Sequence, residues 1–138
     1  MPQLDRQKKK VTEATIQDRI RAAVSRMPDV TLYRNVERYI KFGDRGVYVP
    51  PGLGPGSADL VGWVRIEAFG RMGERRMIAR FLAIEVKDPA QPLSKHASHV
   101  ADQEAWLAHV RSCGGVAGIV TSVEEAVSLI QGARQWRL

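Results

Sequence analysis

Alternation of apolar and polar side chains marks residues 81–87 as a strand with two different faces. Leu82, Ile84 and Val86 point to one side of such a strand, because successive side chains alternate. Glu85 and Lys87 point to the other side, where an acid and an amine stand one pleat repeat apart. Taken alone, this pattern is typical of a half-buried strand with a polar outer face.

The apolar positions elsewhere predict three helices. The first begins at the N-cap Thr12, is ended by Pro28, and buries a stripe of Ile16, Ile20, Val24 and Met27. The second covers about 96–112. The third opens with the capping box Ser122-x-x-Glu125 and runs to about Ile130.

Four strands are predicted, over about 30–36, 59–67, 77–87 and 116–121. The second and third form an antiparallel hairpin, and the last is a continuous apolar run of the kind buried on both faces. Residues 37–57 crowd glycine and proline together and are expected to be mostly loop. The fold class is therefore α/β, in the order αβββαβα, with a mixed sheet flanked by helices.

Composition narrows the functional classes. The chain has 138 residues, a net charge of +6 and a single cysteine, Cys113. One cysteine excludes an internal disulfide and a cysteine-based zinc site, and the basic balance favours a polyanionic partner. No apolar run reaches transmembrane length and the start lacks a hydrophobic signal core, so we expect no membrane partner and an intracellular location.

Three acids and one lysine form the candidate chemistry. The hairpin can carry Asp59, at the start of its strand, back beside Glu85. Glu13 falls on the apolar stripe of the first helix, so it either complements the helix dipole or faces a cleft. Carboxylates are hard ligands suited to Mg²⁺ or Mn²⁺, and Lys87 would position water or stabilise developing charge. The set points to metal-dependent phosphodiester hydrolysis.

Other polar and aromatic side chains leave alternatives open. Gln103 lies within the buried face of the second helix, as a core hydrogen bonder or as a site residue. The helical histidines His96, His99 and His109 have no clear ligand partner, which disfavours a zinc site. We interpret Trp63, Trp106 and Trp136 as packing residues rather than as base-stacking platforms.

The ordered motifs resemble a known family. Asp59 before an apolar strand and Glu85-Val86-Lys87 after it are similar to the PD-(D/E)xK nuclease pattern, although Ala58 stands in the place of its proline. More closely, the chain resembles the stand-alone VRR-Nuc domains of phages and bacteria. The motifs that carry this resemblance are Glu13, Arg34-Asn35, Gly56-x-x-Asp59-Leu60-x-Gly62, Glu85-Val86-Lys87, Gln103 and Gly114-Gly115. The resemblance covers residues 12–131, between a basic arm at 1–11 and a tail at 132–138.

The resemblance implies a restriction-endonuclease-like core with Asp59, Glu85 and the Val86 carbonyl as metal ligands. Glu13 would be a further ligand, direct or through water, and Gln103 would assist in catalysis beside Lys87. The residues expected to contact DNA are Arg34, Asn35, Ser57 and Lys95.

The implied activity is that of a Mg²⁺- or Mn²⁺-dependent endonuclease that cuts Holliday junctions or other branched DNA as a homodimer. Its expected location is the cytoplasm of a bacterial or phage-infected cell. The alternatives are a non-catalytic DNA-binding module with a nuclease-like fold, and an RNA-processing nuclease.

Overall fold

A computed structural model describes residues 11–36, 40–42, 47–49, 52–91 and 97–135. Their elements, in chain order, are α1 (Glu13–Val24), β1 (Val30–Arg34), β2 (Ile40–Phe42), β3 (Val47–Val49), β4 (Leu60–Phe69), β5 (Arg75–Val86), α2 (Ala97–Ser112), β6 (Val116–Val120) and α3 (Val123–Arg134). The ends of the four predicted strands differ from the observed ends by no more than two residues.

Two short strands were not predicted. β2 and β3 pair antiparallel with each other in a separate two-stranded sheet, inside the stretch that was expected to be mostly loop. Each strand has only three residues, which is too short a window for a period-two pattern to be recognised. The predicted element order therefore lacked this small hairpin.

The main sheet is mixed and has the strand order β1-β4-β5-β6. β4 and β5 form a long antiparallel hairpin, in which Leu60 lies opposite Ile84. α2 connects β5 to the parallel strand β6. The general class, an α/β fold with a mixed sheet flanked by helices, is thus confirmed.

β5 is buried on both faces from Leu82 to Val86. On one face Leu82, Ile84 and Val86 belong to a core shared with α1 and α3. On the other face Ala83 packs in a second cluster with Leu107 of α2. Because Glu85 alternates with Ile84, it lies on the α2 face, as the sequence pattern predicted.

The helix ends show where local signals held and where tertiary contacts overrode them. Thr12 caps α1, since the backbone nitrogen of Thr15 donates to its hydroxyl at 3.2 Å. The helix stops at Val24, earlier than Pro28 requires. α3 continues to Arg134, past both Ile130 and the predicted domain end. Arg134 makes two hydrogen bonds to Asp29, at 2.7 and 2.9 Å, which hold this last turn beside the start of β1.

We expect Gly62→Ala to destabilise the protein. Gly62 pairs with Leu32 in β1, and a Cβ built on it would overlap the carbonyl oxygen of Thr31, so the two strands would have to separate locally. The matched control is Gly132→Ala, because a Cβ there meets nothing within 4 Å. Alanine is favoured over glycine inside a helix by roughly 0.5–1 kcal/mol. Thermal unfolding should show a lower midpoint for the first variant and an unchanged or higher midpoint for the second; equal midpoints would contradict the close approach.

Candidate active site

The acidic residues meet at one end of the β4–β5 hairpin. Asp59 immediately precedes β4, and Glu85 is the penultimate residue of β5. Since Leu60 pairs with Ile84 in an antiparallel ladder, the next position along brings Asp59 opposite Glu85. The predicted convergence of these two acids is confirmed.

Reciprocal hydrogen bonds lock the two acids together. The backbone nitrogen of Val86 donates to Oδ2 of Asp59 at 2.8 Å. The backbone nitrogen of Asp59 donates to Oε2 of Glu85 at 3.2 Å. Each carboxylate is therefore held by the backbone of the opposite strand, so its orientation depends on the sheet rather than on a flexible side chain.

Glu85 is the most enclosed of the site residues, with only 2% of its surface exposed. Its Oε1 accepts hydrogen bonds from Nζ of Lys87 at 3.1 Å and from Nε2 of Gln103 at 2.6 Å. Glu85 and Lys87, which lies just after β5, thus form an ion pair, and Gln103 of α2 donates a hydrogen bond to Glu85. The structure brings all three side chains together.

Burial and like charge make the acidic pair difficult to ionise. Desolvation raises the pKa of Glu85 to about 7, and the charge of Asp59 adds to this effect while Lys87 opposes it. Desolvation also raises the pKa of Asp59, with the hydrogen bond from Val86 and the charge of Lys87 acting against it. One lysine does not offset one buried and one half-buried carboxylate, so the site favours an additional positive charge.

Glu13 approaches the pair from α1. It is half-buried, and its Oε1 accepts a hydrogen bond from the backbone nitrogen of Asp88 at 3.3 Å. The hydrogen bond to Asp88 places this carboxylate beside the end of β5, and its charge contributes to the raised pKa of Asp59. Of the two interpretations left open by the sequence, the structure favours an acid that faces the cleft.

Gln103 carries an unpartnered oxygen. The side chain is buried, and its Oε1 has no hydrogen-bond partner among the described residues, whereas its Nε2 lies 3.2 Å from Nε2 of His99 as well as contacting Glu85. An orphaned buried amide oxygen is costly and marks a place where a polar ligand would fit. His99 was not assigned to the site from sequence; its position four residues before Gln103 on one helix face was the available signal.

Asn35 and Ser57 support the segment that carries Asp59. Nδ2 of Asn35 donates to Oγ of Ser57 at 2.8 Å and to the carbonyl of Ala58 at 2.9 Å. The backbone nitrogen of Asn35 donates to the Asp59 carbonyl at 2.7 Å. These contacts hold the acid in place, and DNA contact by either residue stays a prediction. Of the other two DNA-contact predictions, Arg34 is exposed and Lys95 lies outside the described residues.

The glycine-rich segment before Asp59 passes close to α2. Gly56 has a φ of +77°, and a Cβ on it would lie 2.7 Å from the carbonyl oxygen of Asp102. Only glycine adopts this conformation readily and leaves room for the helix backbone. The segment just before Asp59 is thereby packed against the backbone of α2.

A hard, hydrated cation fits the donor set. Within the described ranges no three acidic, histidine or cysteine side chains gather into a group that could hold a metal by themselves. Magnesium is commonly held by one or two carboxylates and keeps several waters. Asp59 and Glu85 supply that number, the raised pKa values favour a cation, and the orphaned oxygen of Gln103 can accept a hydrogen bond from a bound water.

Comparison of the chain with models of protein families, with curated proteins and with solved structures found no match. The resemblance to VRR-Nuc domains therefore stays a prediction that depends on the ordered motifs. Among the described residues, no helix is both long and apolar enough to cross a membrane.

The raised pKa of Glu85 predicts how stability varies with pH in the metal-free protein. Between the ordinary value of 4.5 and about 7, the native protein binds more protons than the unfolded chain. The free energy of unfolding should therefore fall as pH rises through this range and stay lower above it. Glu85→Gln removes the titrating group, so its melting temperature should fall less over the same range.

Thermal melts in EDTA across this pH range provide the measurement. The exposed Glu104, next to Gln103 on α2, offers the matched control Glu104→Gln, which should follow the wild-type curve. Parallel curves for the wild type and Glu85→Gln would show that Glu85 has an ordinary pKa.

Proposed function

We propose that the protein is a metal-dependent endonuclease that hydrolyses phosphodiester bonds in branched or otherwise structured DNA. The observation that supports this proposal most strongly is the pair of the half-buried Asp59 and the buried Glu85, locked across two strands with Lys87 on the same side. Two fixed carboxylates can hold a metal ion, and an adjacent amine can stabilise the charge that develops on a phosphodiester during hydrolysis. The preference for branched DNA comes from the family resemblance.

Asp59, Glu85 and the Val86 carbonyl would hold Mg²⁺ or Mn²⁺, with Glu13 as a further ligand or as a partner of a bound water. When bound there, such an ion lowers the pKa of water and offsets charge on the phosphate. The reciprocal backbone hydrogen bonds keep both carboxylates in place before substrate arrives. This preorganisation is the main contribution of the sheet.

Lys87 lies where an amine can act on the reacting groups. Its Nζ is 3.1 Å from Glu85, and 18% of its side-chain surface remains exposed, so it reaches both the buried acid and the open side of the site. From there the ammonium donates a hydrogen bond to the attacking water or to a phosphate oxygen that gains charge. Gln103 holds the Oε1 of Glu85 from the opposite side, which fixes the direction of that carboxylate.

A non-catalytic DNA-binding module is the weaker alternative. Burying Glu85 against Asp59 raises the pKa of both acids, so this arrangement lowers stability at neutral pH. Phosphate binding needs basic groups and gains nothing from a buried acidic pair. Raised carboxylate pKa values of this kind are typical of catalytic sites. An RNA-processing nuclease would use the same residues, and the choice of DNA depends on the resemblance.

A homodimer would suit symmetric cleavage of a four-way junction. The described residues of one chain hold one such acidic pair, whereas two symmetric nicks require two. A two-fold dimer provides two sites related by one axis. We therefore propose a homodimer as the active form on branched DNA.

Glu85→Gln should abolish cleavage and leave DNA binding intact. The substitution removes a ligand charge with little change in volume, whereas affinity comes largely from basic side chains on phosphates. Purified protein is incubated with junction, flap, duplex and single-stranded substrates in Mg²⁺, Mn²⁺ or EDTA, and binding is measured in parallel. Glu104→Gln makes the same chemical change on the exposed side of α2 and should cleave normally. Metal-dependent cleavage by the Glu85 variant would remove this residue from the site.

Lys87→Met should lower the rate of the chemical step by about a hundredfold or more while metal affinity is kept. The reason is that Lys87 acts on water or phosphate, whereas the carboxylates hold the ion. Calorimetric titration with Mn²⁺ and single-turnover cleavage separate the two quantities. Loss of affinity together with rate would instead assign Lys87 a role in holding the acids together.

A further inference from the structure

A row of exposed aromatic rings crosses the main sheet on the face that carries the acidic pair. Tyr33 of β1, Trp63 of β4 and Phe81 of β5 are 57%, 40% and 39% exposed. Side chains alternate along a strand, so Trp63 shares a face with Asp59, and Phe81 shares the same face with Glu85. Ala83, between Phe81 and Glu85, is buried under α2, whereas Val61, between Trp63 and Asp59, is half-buried, so the more open approach to the candidate site runs along β4 beside Tyr33.

The three rings lie on neighbouring strands of the sheet. The centroids of Tyr33 and Trp63 are 5.9 Å apart with a tilted geometry, and Trp63 lies directly opposite Phe81 in the β4–β5 ladder. The ring centroids of Phe81 and of Trp106 on α2 are 6.4 Å apart, in an edge-to-face arrangement. Trp106 is half-buried against the core beneath α2, as the sequence predicted for a packing residue. Trp63 contacts Tyr33 but is 40% exposed, so it packs at the surface of the sheet and not in the core.

The spacing along the strands places the row close to the acids. The paired residues Trp63 and Phe81 lie four residues, or two pleat repeats, from Asp59 and Glu85. Tyr33 pairs with Val61, which is one pleat repeat from Asp59. At about 3.4 Å per residue, two repeats correspond to roughly 14 Å. A short stretch of an extended ligand would span this distance.

We propose that Tyr33, Trp63 and Phe81 form a stacking surface for the bases of an unpaired DNA strand, which they lead toward the acidic pair. Aromatic faces bind bases of any sequence, which suits an enzyme that reads DNA structure. The net charge of +6 and the exposed Arg65, two residues after Trp63 on the same face, favour a polyanion. The inference depends on the proposed nuclease function for its DNA substrate.

A protein occupant fits this position less well than a nucleic acid strand does. The row and the acidic pair share one face, so a second copy resting on the rings would lie across the approach to Glu85 and Asp59. An unpaired strand would use both features at once, with its bases on the rings and its phosphates at the acids. The surface thus matches a ligand that carries rings and phosphates along one chain.

The test uses the full chain with Glu85→Gln as the background, so that binding is measured in EDTA without cleavage. The probe is a fluorescently labelled oligothymidylate, compared with a duplex of the same length. Trp63→Leu and Tyr33→Leu should each weaken binding of the single strand by about tenfold or more, because each removes a stacking platform. Trp63→Phe keeps a ring and should restore most of the affinity.

Phe69→Leu is the matched control. Phe69 is 66% exposed on the same face but lies at the far end of the hairpin, paired with Arg75. Its loss should leave affinity for the oligothymidylate unchanged. Circular dichroism melts confirm that each variant folds. Unchanged single-strand affinity in both Trp63→Leu and Tyr33→Leu, or an equal loss on duplex, would overturn the proposal.

Sedimentation of the same variants separates the proposal from a protein interface. If Trp63→Leu converts a dimer into monomers that bind the oligothymidylate as tightly as before, the row is an interface between copies and the proposal fails. Cleavage by the wild-type protein is scored separately. If the wild-type protein does not cleave but Trp63→Leu weakens single-strand binding, the stacking surface stands and the nuclease proposal fails. If the wild type cleaves and the ring variants bind and cleave as it does, only the stacking surface fails.

Discussion

The candidate site depends on two hydrogen bonds that cross between β4 and β5. Val86 donates its backbone N–H to Asp59, and Asp59 donates its own to Glu85. These bonds continue the hairpin ladder by one position, but they use carboxylate oxygens in place of backbone carbonyls. The two acids are consequently part of the sheet, and any change that separates the strands also separates the acids.

The same arrangement creates an electrostatic cost that the rest of the fold must offset. Glu85 is buried beneath α2, and its pKa rises because water is excluded and Asp59 lies close. Packing on both sides of β5 supplies the compensating stability, with a large aliphatic core under α1 and α3 and a smaller one under α2. A polar site is therefore built into a strand that is buried on both faces around Glu85.

The two faces of the sheet perform different tasks. The face under α1 and α3 is a closed aliphatic core. The opposite face is covered by α2 over β5 and β6, whereas Trp63 and Tyr33 remain exposed beside it. The small side chains of Ala58, Ala83 and Ala117 let α2 lie close to the sheet, which brings Gln103 to Glu85. The half-buried Val61 and Asp59 lie between the exposed rings and this cover.

Local patterns were sufficient to predict the α/β class, the strands of the main sheet, the capping by Thr12 and Ser122, and the side of β5 on which Glu85 and Lys87 lie. The period of a strand and the chemistry of a cap are properties of neighbouring residues, so the sequence by itself determines them. The hairpin also made the meeting of Asp59 and Glu85 predictable.

Other features could not be predicted from local patterns. β2 and β3 were missed because three-residue strands carry too little pattern, and the extension of α3 depends on a distant partner, Asp29. The contact of His99 with Gln103, the raised pKa of Glu85 and the exposure of Trp63 were decided only by tertiary structure. Each of them depends on which element covers a residue, and coverage is set by the packing of segments far apart in the chain.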